Sequence, residues 1–227
     1  MRAILLPLLL LALAACARPL SVEERAFAAT VQGAALNPAP VRIAKGALIG
    51  NITRTRPPRP ALACRERIRH PETGDVRIST AAFVLFDRMF AARRVYRDNY
   101  LPGYPDTLPL ARAMFIAHEM THVWQWQNRA VTGYHPLRAA AEHRPGADPY
   151  LFDLKAGQDF LSFGYEQQGG IVEEFVCCRA LDPEGARTRR LYQMLRPYFP
   201  GLEPHSRVAR AAVTLPWKDA PTAGICS

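Results

Sequence analysis

The chain has 227 residues, a formal net charge of +9, 49% hydrophobic residues and 22% charged residues. The positive excess is spread along the chain as arginines, which in a cytoplasmic protein would indicate nucleic acid. In an exported protein it favours anionic lipid headgroups or acidic polymers, or no partner at all, so we expect no nucleic-acid partner. No internal repeat or low-complexity segment is visible, which excludes a repeat array. The length that remains after a signal peptide, about 210 residues, is enough for one domain with a hydrophobic core.

The N-terminus has the features of a secretion signal. Arg2 supplies a positive charge and residues 4 to 14 form an apolar run that is too short to span a bilayer. The small residues before Cys16 resemble the lipobox of bacterial lipoproteins, which implies cleavage after residue 15 and a lipid on Cys16. Alanine at position 17 implies, by the same resemblance, the outer membrane of a Gram-negative cell, facing the periplasm. The alternative is an ordinary signal peptide with an incidental cysteine.

The remaining chain predicts a lipidated tether with a peripheral helix over residues 16 to 40, followed by a single α+β domain over residues 41 to 227. Residues 133 to 160 are rich in turn-forming residues and predict a functional lid. Residues 86 to 100 fit either a helix or an exposed strand. Short alternating or apolar runs predict strands at residues 41–43, 47–49, 76–80 and 81–86. Helical patterns cover residues 22–31, 108–129, 164–181 and 187–198.

Residues 118 to 122 spell HExxH, a motif that binds zinc and activates water. Histidines four residues apart on a helix share a face, so His118 and His122 can reach one metal ion. Glu119 lies beside them, where it can act as general base on a metal-bound water. Asp106 and the residues after it, including a proline, predict the capped start of this helix. The alternative is a pair of buried histidines without a metal.

A catalytic zinc site needs a third protein ligand, and the longer HExxHxxGxxH pattern is absent. We therefore expect a carboxylate from a later helix, the gluzincin arrangement. Glu166 is preferred, because the glycines at 169 and 170 lie one turn further along its face and let this helix approach the HExxH helix closely. Glu173 is the alternative ligand, or an acceptor for a histidine N–H. Glu174 is expected on a solvated face.

Residues 115 to 125 and the EQQG run at residues 166 to 169 carry a resemblance to a known family. They resemble bacterial zinc metallopeptidases of the HExxHVxQ type, which are related to Vgr-related proteins and to the core domain of extracellular contractile injection systems. The resemblance covers about residues 76 to 180. It implies a zincin-like fold, in which a small twisted sheet packs on the HExxH helix, and it implies Glu166 as the third zinc ligand. The chain departs from the family pattern at Gly169, Gly170 and Glu174.

The oxyanion formed during peptide hydrolysis needs a donor in addition to zinc. Tyr165 is preferred because it lies beside the expected ligand Glu166, although a buried aromatic at a helix start explains it equally well. Other candidates are the residues Tyr134, His135, His143 and His205.

Four cysteines follow Cys16, and an exported chain favours two disulfides. Adjacent Cys177 and Cys178 are expected not to pair with each other, because a vicinal bridge is strained. One is expected to bind the Cys64 region and the other Cys226. A metal site built from cysteines is the weaker alternative, since no CxxC spacing is present.

These patterns together predict a zinc-dependent peptidase, anchored in the bacterial envelope through Cys16 and acting on a protein or peptide in the periplasm. The alternative is a scaffold or assembly lipoprotein that keeps the zincin fold without hydrolysis. The intact Glu119 argues against a scaffold, because a scaffold has no need of a general base.

Overall fold

The computed structural model describes residues 17–46, 53–143, 148–154 and 157–227. The expected signal peptide, Cys16 and the strand expected at residues 47–49 lie outside these residues. Within the described part of the chain, no helix has both the length and the apolar character needed to cross a membrane.

Helices and small sheets together give the α+β fold that the sequence predicts. The helices of the described residues are, in chain order, α1 Val22–Val31, α2 Cys64–Arg67, α3 Leu110–Gln127, α4 Arg129–Thr132, α5 Pro136–Ala141, α6 Tyr165–Leu181 and α7 Ala186–Leu195. The strands are β1 Ala17–Pro19, β2 Arg42–Lys45, β3 Thr53–Arg56, β4 Val76–Ser79, β5 Ala82–Leu85, β6 Arg88–Ala91, β7 Leu108–Pro109 and β8 Val213–Thr214.

The largest sheet has four strands in the order β1-β2-β6-β5, so β1 and β5 form its edges. Strand β2 runs parallel to β6 and antiparallel to β1, while β5 and β6 are antiparallel. Residues 86 to 100 therefore contribute a strand and turns. Strands β3 and β4 form a separate two-stranded antiparallel sheet, with α2 in the segment that connects them. Strands β5 and β6 contact α3, which places an open sheet edge beside the HExxH helix.

Residues 17 to 40 belong to the domain and are not a tether, contrary to the prediction. Helix α1 has the predicted bounds, and Phe27 and Val31 lie in the hydrophobic core. A capping box fixes its start, since Ser21 Oγ accepts from the Glu24 amide and Glu24 accepts from the Ser21 amide. Glu24 also forms an ion pair with Arg18 at 2.8 Å, which joins β1 to α1.

Helix α3 begins at Leu110, and no side chain caps it, so the predicted capped start at Asp106 is wrong. The two residues before the helix instead form β7, which pairs in parallel with β8 near the C-terminus. Helix α4 ends at Thr132, and the next residue, Gly133, has a φ of 65°, in the left-handed region that favours glycine.

Two disulfides join α6 to other parts of the chain. Cys177 binds Cys64 and Cys178 binds Cys226. The sequence predicts one bond to each of these two segments and leaves open which cysteine makes which bond. These bonds use all four cysteines of the described residues, so the cysteine metal site is wrong.

Glu174 is fully buried on α6, which corrects its expected solvated position. Its carboxylate accepts from the amides of Cys64 and Arg65 at the start of α2 and binds Arg187 Nε at 2.6 Å. A buried carboxylate is tolerated here because backbone donors and a cation satisfy it.

Candidate metal centre

Three side chains converge where α3 packs against α6. His118 Nε2 lies 3.0 Å from His122 Nε2 and 3.2 Å from Glu166 Oε2. His122 Nε2 lies 3.4 Å from the same carboxylate oxygen. All three residues are buried, and their ligand atoms form a group that could hold a metal ion. The structure thus brings together the three residues predicted as ligands.

Gly169 lets the two helices approach this closely. A Cβ atom on Gly169 would lie 2.6 Å from His118 Cε1 and 2.8 Å from His118 Nε2. The predicted role of a small residue is therefore confirmed at Gly169. Gly170 faces a different neighbour, because its Cβ would meet the Arg65 guanidinium at 2.6 Å.

Buried neighbours set the orientation of both histidines. Gln125 Nε2 donates to Tyr165 O and Gln168 Oε1, so its Oε1 is the acceptor 2.8 Å from His122 Nδ1. His122 Nδ1 therefore carries a proton, and a metal would bind at Nε2 after displacing the proton held there. Glu173 Oε1 lies 3.6 Å from His118 Nδ1, on the side of that ring away from Glu166 Oε2.

Replacing Gln125 with leucine is expected to weaken metal binding by about 10- to 100-fold, because His122 would lose the acceptor that orients its ring. Competition with a chelating dye measures the affinity. Gln127→Leu makes the same change in the last turn of α3, where the side chain binds Asn37 and Asp87 instead. An unchanged affinity in Gln125→Leu would contradict the orienting role.

The site has strong internal electrostatics. Burial alone would lower the pKa of His122, but the Glu166 carboxylate outweighs it and raises this pKa to about 9. Burial alone would raise the pKa of Glu166, but the charge of His122 and hydrogen bonds from histidines hold it well below the ordinary value. Glu166 is therefore ionised, as a metal-binding carboxylate must be.

Glu119 is buried beside the triad, and no hydrogen-bond partner for its Oε2 occurs among the described residues. Burial raises its pKa, and the nearby histidines oppose that shift while Glu166 adds to it. A carboxylate oxygen without a partner can take a proton from a molecule bound in the cavity. This is the role of general base expected of Glu119.

These groups open into a cavity of about 370 Å³. The edge strand β5 and helix α5 both contribute residues to its wall. The lining residues are Arg54, Thr80, Ala82, Phe83, Val84, Leu85, His118, Glu119, His122, Tyr134, Pro136, Ala139, Ala140, His143, Tyr150 and Glu166. The segment predicted as a lid thus supplies part of the wall, and its closing motion stays a prediction.

The sequence did not predict the series of hydrogen bonds that connects Glu166 to Arg54. Arg54 Nη2 lies 3.3 Å from His143 Nδ1, and an arginine can only donate, so His143 Nδ1 is the acceptor. His143 Nε2 then donates to Glu166 Oε1 at 2.9 Å. Glu142 accepts from the amides of Tyr165 and Glu166 and so caps α6. The position of Gln125 one turn after His122 is a signal from which its contact with that histidine could have been predicted. Arg54 lies on β3, far away in the sequence, where no pattern indicates a contact with the site.

The predicted oxyanion donors occupy different places. The Tyr165 hydroxyl donates to Gly133 O at 2.8 Å, and Tyr165 is not among the cavity-lining residues. His135 Nδ1 accepts from the Leu137 amide and so caps α5. His205 is exposed beside Glu184.

Tyr134 and His143 line the cavity, together with Tyr150. The ring centroid of Tyr150 lies 5.8 Å from that of His118.

The fold and the three convergent side chains define this chain as an α+β protein with a candidate metal centre. Its structure is similar to the effector domain of Pseudomonas aeruginosa VgrG2b, with a TM-score of 0.50 and 19% identity over 78% of this chain and 83% of that chain. No family model and no curated protein sequence matches the chain. The expected resemblance to Vgr-related proteins is therefore confirmed at the level of the fold.

Proposed function

We propose that the chain is a zinc-dependent peptidase of the gluzincin type. The observation that carries this proposal is the convergence of His118 Nε2, His122 Nε2 and Glu166 Oε2 in one cavity, beside Glu119, whose Oε2 has no hydrogen-bond partner among the described residues. Two nitrogen ligands, one carboxylate and an adjacent general base are the groups that metal-assisted peptide hydrolysis requires.

The donor geometry fits zinc. Zinc bonds of about 2.0–2.1 Å at tetrahedral angles place neighbouring ligand atoms about 3.3 Å apart. The three distances between ligand atoms are 3.0, 3.2 and 3.4 Å. Three ligands leave a fourth position for water or substrate, as in catalytic zinc sites. When bound, zinc would act as a Lewis acid and lower the pKa of a water molecule to about 7.

The protein side chains would move the proton and hold the substrate. Glu119 Oε2 accepts the proton of the attacking water and later passes it to the leaving amine nitrogen. Tyr150 is proposed as a donor to the carbonyl oxygen, because it lines the cavity with its ring centroid 5.8 Å from that of His118. Burial raises the pKa of its hydroxyl well above the ordinary value, so the hydroxyl keeps its proton. Among the described residues no strand pairs with the outer edge of β5, and we propose that an extended peptide entering the cavity pairs with the backbone there.

Elemental analysis of the purified chain tests the metal assignment. We expect about one zinc per chain in the unaltered protein and a loss of affinity of about 100-fold or more in Glu166→Ala. Glu184→Ala removes an exposed carboxylate and should keep the zinc. Zinc retained by Glu166→Ala would shift the third ligand to Glu173. No zinc in any form, after purification without chelator and resupply of zinc, would overturn the peptidase proposal.

We further propose that the enzyme acts in the periplasm on a protein or on peptides, anchored to the outer membrane by lipid on Cys16. The support is the sequence before Cys16 together with two disulfides, which persist in oxidising compartments. Mass spectrometry of the membrane fraction tests the anchor, since acylation adds a diagnostic mass to the peptide that starts at residue 16.

A further inference from the structure

The cavity carries a positive group that the hydrolytic chemistry does not use. Arg54 lies on β3, is exposed and lines the cavity. Of the described residues that line the cavity, it is the only lysine or arginine. Much of the remaining wall is apolar, with Phe83 and Leu85 on β5 and Pro136 on α5. A ligand that enters this cavity therefore meets one fixed cation.

Arg54 differs from its neighbours in having no acidic partner among the described residues. Arg56, in the same strand, binds Glu72 at 2.7 Å. Arg59 binds Asp148 at 2.6 Å. Among the described residues, the one side-chain partner of Arg54 is the acceptor His143 Nδ1. This bond uses one of the five N–H donors of the arginine.

We propose that Arg54 binds a carboxylate of the substrate, so that the site favours peptides with an acidic group close to the scissile bond. This inference rests on the proposed peptidase function. A guanidinium fork matches the two oxygens of a carboxylate, and apolar walls reduce the competition from water. Two carboxylates line the cavity with Arg54. Glu166 is engaged by His118, His122 and His143, and no ion pair joins Glu119 to Arg54 among the described residues.

The position of Arg54 also limits where that carboxylate lies. One imidazole ring and two hydrogen bonds separate the guanidinium from the third metal ligand. An extended peptide advances about 3.3 Å per residue. The carboxylate therefore belongs to a residue within about two positions of the scissile bond, either as a side chain or as a free C-terminus.

Peptide binding to the zinc-loaded Glu119→Gln variant tests this proposal without relying on turnover. The probes are fluorescent seven-residue peptides of alanine and phenylalanine. One set carries a single glutamate at successive positions, a second set has glutamine there, and each is made with a free or amidated C-terminus. We expect at least one acidic peptide to bind about tenfold more tightly than its neutral partner, and the two kinds of pair show whether a side chain or a terminus is recognised.

Arg54→Gln should abolish this preference, and Arg54→Glu should reverse it towards lysine-containing peptides. Arg77→Gln is the matched control, because Arg77 is exposed on β4 and does not line the cavity. The inference would be overturned if acidic and neutral peptides bound equally well. It would also be overturned if Arg54→Gln, made in the Glu119→Gln variant, bound every peptide as tightly as that variant alone.

Cleavage assays with the unaltered protein separate the two proposals. Acid-dependent binding without cleavage would leave the inference standing and contradict the peptidase function. Cleavage without acid preference would do the opposite, and no binding of any peptide would overturn both.

Discussion

Replacing Glu119 with glutamine is expected to lower kcat for peptide hydrolysis by about 10²- to 10⁴-fold, the range typical of a lost general base. The side chain keeps its size but can no longer accept a proton from water. Zinc content should not change, because the ligand atoms belong to His118, His122 and Glu166. Stability should not fall, because the carboxylate is buried and its Oε2 has no hydrogen-bond partner among the described residues.

The measurement is a comparison of kcat, zinc per chain and Tm between Glu119→Gln and the unaltered protein. Glu184→Gln makes the same change on an exposed side chain and should leave all three values in place. Full activity in Glu119→Gln would remove this residue from the reaction. Loss of zinc in the variant would instead assign Glu119 to the metal centre.

Replacing Gly169 with alanine is expected to weaken zinc binding by about 100-fold or more. The new methyl group would lie 2.6 to 2.8 Å from three atoms of the His118 ring, one of them the ligand atom Nε2. The ring or the whole α6 helix must therefore shift. In an ordinary helix the same change stabilises by about 1 kcal/mol, but overpacking costs about 1–3 kcal/mol, so the free energy of unfolding should fall or stay level.

Gly170→Ala is the matched control for this prediction. It lies on the same helix and gains the same helix propensity, and its Cβ would meet Arg65 Nη1 at 2.6 Å and Tyr150 O at 3.3 Å instead of His118. Zinc affinity measured by dye competition should be unchanged in Gly170→Ala. If both variants bind zinc as tightly as the unaltered protein, the helices do not need the close approach at Gly169.

The parts of the site that the sequence predicts are those encoded by local spacing. The i, i+4 histidines fix their own face, and Gly169 follows Glu166 by one turn in a recognisable pattern. Helix α1 was predicted with its observed bounds from the helical pattern of residues 22–31, and the structure adds a capping box of Ser21 and Glu24 at its start.

The errors involve contacts between distant segments. Glu174 was assigned to solvent because nothing nearby in the sequence shows that Cys64 N and Arg187, which satisfy it, pack against α6. Asp106 looked like a helix cap, yet the chain there pairs with a strand near the C-terminus. Arg54 reaches the site through His143, which lies 89 residues later. Such partners are set by tertiary packing and leave no periodicity in the sequence.

Strand β1 begins at Ala17 and forms one edge of the main sheet, while β5 beside the cavity forms the other. Three strand spacings of about 4.8 Å each separate these edges, about 14 Å in all. If Cys16 carries the proposed lipid, the acyl chains would be attached one residue before this edge strand. The cavity would stay close to the membrane surface, and its substrates would be limited to chains that lie within the same thin layer.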